Sequence, residues 1–260
     1  MKKFFLFVVL AQTFGANAFS ALAQNPTSEQ IKSKIMGYVR NGASLKLFYQ
    51  DILNIYGTKA LDPLLDILEN DRERDEARWV SLFGVVRLSG FDSINLIKKY
   101  YNDRSWMLRD AAIKNTAILC SLERTPKEVL ENCKKNVQFG LESKLKDDSL
   151  IVRTSAVDSI SALSLKTSAA KLTDSLFDSA NFHNDKALWI HKHILAALEK
   201  LQYKPAIPRL SELLERKRDP ELQALTVKTL EKLTGKQFNQ KPIADQIYFW
   251  KREALEWKTF

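Results

Sequence analysis

The sequence predicts an all-α chain built as an elongated array of stacked helix pairs. Three observations lead there. Only 8 Gly and 7 Pro occur in 260 residues, too few for the turn every 8 to 12 residues that an all-β chain needs. Apolar residues instead recur at helical spacing along most of the chain. The length also exceeds what one compact helical core fills, which leaves two domains or a repeat array.

Residues 1–23 read as a secretory signal peptide: Met1-Lys2-Lys3, an apolar run from Phe4 to Ala11, then small residues ending in Ala21-Leu22-Ala23. Cleavage is expected before Gln24, with Ala16-Asn17-Ala18 as a second small-x-small site. The apolar run is far shorter than the ~20 residues that span a bilayer, so no stable membrane insertion is expected after cleavage. No Cys follows it at a distance that would take a lipid. Met-Lys-Lys before a short Phe-rich core has a bacterial look, which places the mature chain in the periplasm, or secreted beyond it. Cleavage lowers the formal charge from +9 to +7. That charge is dispersed, with no basic arm or acidic tail, as on a solvated mixed surface.

Residues 24–57 form an N-terminal helical cap. Thr27 and Gln30 make a capping box, Ile31, Ile35, Tyr38 and Val39 form a stripe, and Asn41-Gly42 ends the helix. Leu45, Phe48, Ile52, Leu53 and Tyr56 build the next.

Repeats follow over 58–235. Residues Ala60 to Glu69 (ALDPLLDILE) align without a gap on Ala206 to Glu215 (AIPRLSELLE), each a short amphipathic helix with an early Pro. Leu108 to Ile113 (LRDAAI) aligns on Val152 to Val157 (VRTSAV), and Ile190-His191 with Ile194-Leu195 takes the same places. Leu88, Leu119, Leu163, Leu201 and Leu233 close successive second helices, which gives five units. Their longest spacing, from Leu119 to Leu163, puts an insertion at about 121–137. After Pro242, the residues Ile243, Ile247, Trp250, Ala254 and Trp257 recur at helical spacing and make 236–260 a C-terminal capping helix.

The segment Ala206 to Leu214 resembles the first helix of HEAT repeats, and Leu233 to Phe238 with Trp250 resembles the closing segment of many bacterial HEAT proteins. The chain is therefore identified as an exported bacterial member of the HEAT-repeat, armadillo-like family. That resemblance implies a right-handed α-α superhelix, a solenoid of about five helix pairs with helical caps. An acidic residue precedes a basic or imidazole residue by six in three units: Asp103 and Arg109, Asp147 and Arg153, Asp185 and His191. This resembles the Asp/Arg ladder of HEAT arrays. Each Asp would cap a helix start and bond the Arg of a stacked neighbour, a structural role. Gln223 holds the basic position of the last unit.

Cys120 and Cys133 are the two cysteines, and an even count in an exported chain makes a disulfide the default expectation. Pairing would pin the insertion to the preceding helix. Neither has a CxxC neighbour, so redox catalysis is not indicated.

No catalytic constellation emerges. His191 and His193 sit two apart on a helix and diverge, unlike a metal-binding i, i+4 pair, and His183 is isolated. No G-x-S-x-G elbow, phosphate loop or dinucleotide fingerprint occurs. The sequence therefore implies no cofactor, metal or enzyme activity. Nucleic-acid binding would need a basic stripe across repeats. The second-helix position five after the ladder residue reads Phe83, Lys114, Asp158, Ala196 and Lys228, and the one directly after it reads Trp79, Asp110, Thr154, Lys192 and Ala224. Neither row is uniformly basic.

The expected function is a scaffold for another protein, with stacked second helices lining a concave face on which Trp79, Phe83, Lys114, Asp158, Lys192 and Lys228 are exposed contact candidates. The alternatives are an enzyme or enzyme accessory of the cell envelope and a carrier of an apolar ligand in the groove.

Overall fold

A computed structural model describes residues 26–42, 44–122, 125–238 and 241–257. The expected signal peptide, 1–23, lies outside the described residues. Helix α1 (Ser28–Arg40) opens with Thr27 and Gln30 bonded reciprocally, so two amide donors that a helix start leaves unpaired are satisfied. Its Ile31 and Ile35 are buried. Helices α2 (Leu45–Phe48) and α3 (Asn54–Tyr56) run together through a π-helical turn, Tyr49–Leu53.

Five helix pairs follow: α4 (Leu61–Glu69) and α5 (Asp75–Ser89), α6 (Ile94–Lys99) and α7 (Trp106–Leu119), α8 (Lys127–Ser143) and α9 (Leu150–Ala162), α10 (Ala169–Ser175) and α11 (Ile190–Leu201), α12 (Ile207–Leu213) and α13 (Pro220–Thr234). Helix α14 (Ile243–Trp257) ends the described chain. The fold is all-α apart from one antiparallel hairpin, Phe182–His183 with Lys186–Ala187, between α10 and α11. The second helices pack in chain order, α5 on α7, α7 on α9, α9 on α11 and α11 on α13. Each packs also on the first helix of its own pair. One apolar cluster runs from Ile31 to Ala254.

Local chemistry explains the breaks. Asp219 accepts from the Leu222 amide, Pro220 sits in the first turn of α13, and Gly235 (φ +76°) closes it in the left-handed conformation that a side chain would strain. The stretch Asp75–Asn102 is long and apolar enough to cross a bilayer. It is cut at Gly90 (φ +54°), however, and α5 alone reaches only about 22 Å at ~1.5 Å per residue. Its Arg78 is buried against Asp103, as in the core of a folded domain.

The extra residues of the third unit lengthen its first helix. Helix α8 has 17 residues where α6 has 6 and α10 has 7. Cys120, at the end of α7, and Cys133, in α8, are joined by a disulfide with Cα atoms 5.5 Å apart. The bridge closes a 13-residue separation, so chain entropy sets its contribution at about 3 kcal/mol. Replacing both cysteines by Ala is expected to lower urea-unfolding stability by about 2–3 kcal/mol. Adding reductant should lower the parent by the same amount and leave the variant unchanged.

The ladder runs from the Arg of one unit to the acid of the next. Arg109 grips Asp147 through two hydrogen bonds of 2.8 Å and also donates to the backbone carbonyls of Asp103 and Arg104. The Asp103 and Asp147 carboxylates do not cap the helices directly but each accept the amide of the N-cap residue two on, Ser105 before α7 and Ser149 before α9. Arg78, outside the three expected rungs, donates to Asp103 at 3.0 Å.

The third expected rung is corrected. Asp185 does not reach His191: it sits in the hairpin turn at φ +63°, exposed, paired with Arg218. The hairpin displaces the chain at this rung. Asn181 fills the acceptor place instead, taking the Arg153 Nε–H at 2.8 Å, while Arg153 also donates to the carbonyls of Ala180, Asp147 and Asp148. His191 lies between the carbonyls of Leu176 and Leu188 with its ring against Phe182. Burial holds its pKa below the ordinary imidazole value, outweighing those two carbonyls. The ladder position therefore passes from a charged to a neutral group along the chain.

Candidate functional site

The exposed sides of α5, α7 and α9 enclose an open hollow of about 450 Å³. Trp79 and Phe83 come from α5, Lys114 and Ile118 from α7, and Asp158 and Ala162 from α9. Helical spacing explains this convergence. Residues four apart lie one turn along the same side, so each helix offers a short stripe to its neighbour. The floor is apolar, with the rings of Trp79 and Phe83 tilted together at 4.8 Å.

Four of the six expected contact residues thus meet: Trp79, Phe83, Lys114 and Asp158. Phe83 requires a correction, since it is only 5 % exposed. Trp79 covers it from one side and α5 is packed by α1, α4 and α7, so Phe83 forms the floor and Trp79, half-buried, the wall. Lys114 and Asp158 are exposed and already partnered. Lys114 Nζ lies 2.7 Å from Asp110, and Asp158 lies 2.7 Å from His193 Nδ1. A polar seam fixes the helices beneath: the Ser155 hydroxyl donates to Asp110 at 2.5 Å, and the Trp189 indole N–H donates to Thr154 Oγ1 at 2.9 Å.

Lys192 and Lys228 lie apart from this hollow. Lys192 lines a smaller depression of about 270 Å³ with Trp189, Glu221 and Leu225. Lys228 lines one of about 620 Å³ with Lys232 and Ile243. Both lysines are exposed.

Sequence reasoning missed Ile118 and Lys232, although a signal was present. The position nine after the ladder residue, one turn beyond the row of Phe83 and Lys114, reads Arg87, Ile118, Ala162, Lys200 and Lys232. Trp106, Ile151 and Trp189 were missed as well. They expose large apolar surface at or just before the starts of α7, α9 and α11, where helical periodicity gives no warning.

On the other side of the molecule, α8, α10 and α12 border a cleft of about 540 Å³. Phe139 stands 79 % exposed at its edge, and Arg209 stacks on Phe177 at 3.8 Å. Burial pushes the Glu142 carboxyl up, but hydrogen bonds from Lys171, Ser168 and Gln138 outweigh it and hold Glu142 below the ordinary carboxylate range. Burial pushes Tyr100 and Tyr101 up to about 12, so both phenols stay neutral. Among the described residues, no group of three or more His, Cys, Asp and Glu is placed to hold a metal ion.

No family model matches the chain, and no curated protein matches it.

Proposed function

We propose that the chain is an exported HEAT-like solenoid, a right-handed superhelix of five helix pairs with helical caps, and that it serves in the periplasm as a scaffold for another protein. The observation that carries this reading is the hollow at Trp79, Phe83, Ile118 and Ala162. It is an apolar recess with a half-buried aromatic wall on side-by-side helices, rimmed by charges held in place by their own partners. Such recesses accept the anchoring side chain of a partner, and the partnered rim gives specificity at little desolvation cost. Repeat arrays present rows of this kind as extended binding surfaces.

The test is recovery of the mature chain from its own cell envelope after crosslinking, with the Ile118→Asp variant alongside. Ile118 is 47 % exposed, so the change leaves the fold intact while charging the recess. A stoichiometric protein held by the parent and lost from the variant is the expected result, with a mature N-terminus at Gln24. A second reading draws on the apolar lining, because about 450 Å³ also lies within the range of small-ligand sites. Lipid retained by the parent in native mass spectrometry, with no protein, would replace the scaffold by a carrier. Turnover of wall fragments would replace it by an envelope enzyme.

A further inference from the structure

We infer that the partner segment held on this face is an acidic-tailed peptide: an apolar anchor seated at Trp79 and Ile118, followed by carboxylates lying over α11 and α13. The inference rests on the scaffold reading and names the partner's chemistry. The face changes character along the chain. Its first part, on α5, α7 and α9, is the apolar hollow. Its second part, on α11 and α13, presents Lys192, Lys200, Lys228 and Lys232, all exposed.

These four lysines differ from Lys114. No carboxylate among the described residues lies within ion-pair distance of any of them, whereas Lys114 is bonded to Asp110. The acidic groups nearby do not neutralise them. Glu231, in the same depression as Lys228 and Lys232, accepts the Phe238 amide at 2.8 Å, and Glu221, at the head of α13, lines the depression of Lys192 without reaching ion-pair distance of it. An exposed run of four unpaired ammonium groups beside an apolar recess complements an anionic segment with one hydrophobic end.

Geometry sets the spacing. From α7, where Ile118 holds the anchor, α11 and α13 lie two and three helix spacings on, at ~8–10 Å each, so the two lysine pairs lie roughly 16–20 Å and 24–30 Å away. An extended chain advances ~3.3 Å per residue, which places the carboxylates about five to nine residues from the anchor.

The experiment is selection from a random twelve-residue peptide library displayed on phage, against the mature chain, its Ile118→Asp variant and its Lys192→Glu/Lys228→Glu variant, each checked for an unchanged circular dichroism spectrum. The expected result is enrichment of peptides with a Phe, Leu or Trp anchor and two or more Asp or Glu about five to nine residues on. Synthetic copies should lose binding to Ile118→Asp and weaken at least about tenfold with the double lysine reversal. Their binding to the parent should also weaken as salt is raised. Peptides that depend on Ile118 but show no acidic bias, or that ignore the lysine reversal, overturn this inference and leave the scaffold reading standing. Enrichment of nothing that distinguishes the parent from Ile118→Asp overturns both.

Discussion

Replacing Arg109 by Ala is expected to cost about 3–5 kcal/mol of unfolding free energy, among the largest losses any single side chain of this protein would produce. The guanidinium is 10 % exposed and the Asp147 carboxylate 4 %. Removal of Arg109 leaves the nearly buried Asp147 carboxylate with only the longer ion pair to Lys144 at 3.8 Å, which is the costly case, whereas the intact pair itself adds little net stability. Arg109 also satisfies the carbonyls of Asp103 and Arg104, so truncation strands backbone acceptors at the entry to α7. The further contact to Asp148 contributes little, because that carboxylate is 90 % exposed.

Acid should reveal the same pair. Burial pushes the Asp147 carboxyl up, but the hydrogen bonds from Arg109 and the Ser149 amide outweigh it and hold it below the ordinary carboxylate range. Its folded pKa is thus depressed below the unfolded value of ~3.9. The unfolded chain then binds more protons at low pH, and this contribution is complete above ~pH 5 and lost as pH falls through the folded value. Urea midpoints taken between pH 7 and pH 3 should fall more steeply for the parent than for Arg109→Ala. Replacing both partners by apolar residues, Arg109→Met with Asp147→Leu, should recover most of the loss. Failure of that recovery would mean that the backbone carbonyls, not the carboxylate, dominate.

What the sequence makes legible here is what repeats. A six-residue spacing from acid to Arg can be read without a structure, because it joins two fixed points of a helix start, the turn just before the cap and the second turn. Asp103, Arg109, Asp147 and Arg153 therefore sit where the spacing places them. Asp185 has the same spacing and fails, since the intervening chain forms a hairpin in place of a helix entry, and the buried amide of Asn181 takes the acceptor role. Spacing carries no information about such a detour. Phe83 fails for a different reason. One face of an internal helix is legible from periodicity, but α5 is also packed by the N-terminal helix α1, which lies outside the repeat. The hollow needed a third row of residues, with Ile118 and Ala162, that becomes meaningful only once α7 and α9 are known to lie side by side.

Replacing Trp250 by Ala is the second large effect, expected to cost about 3–5 kcal/mol and to show where along the chain that loss is felt. Trp250 is fully buried although it belongs to the terminal helix, and α14 packs on both α12 and α13. Phe249 stacks on Phe238 at 4.2 Å and meets Trp250 edge-on at 5.0 Å. Lys251 pairs with Glu215, and Lys236 with Glu253, so the helix is held by polar contacts at its margins and by Trp250 at its centre. Trp250→Phe should recover much of the loss by restoring an aromatic ring. The spatial reach of the damage tests the architecture itself. In a solenoid each unit leans on its neighbours alone, so the truncation should release α14, then α13, with amide protection falling there while α5, α7 and α9 keep theirs. The urea transition should broaden accordingly, with a smaller slope. In a molecule with one undivided core, protection would fall uniformly and the slope would hold, because no part could open without the rest.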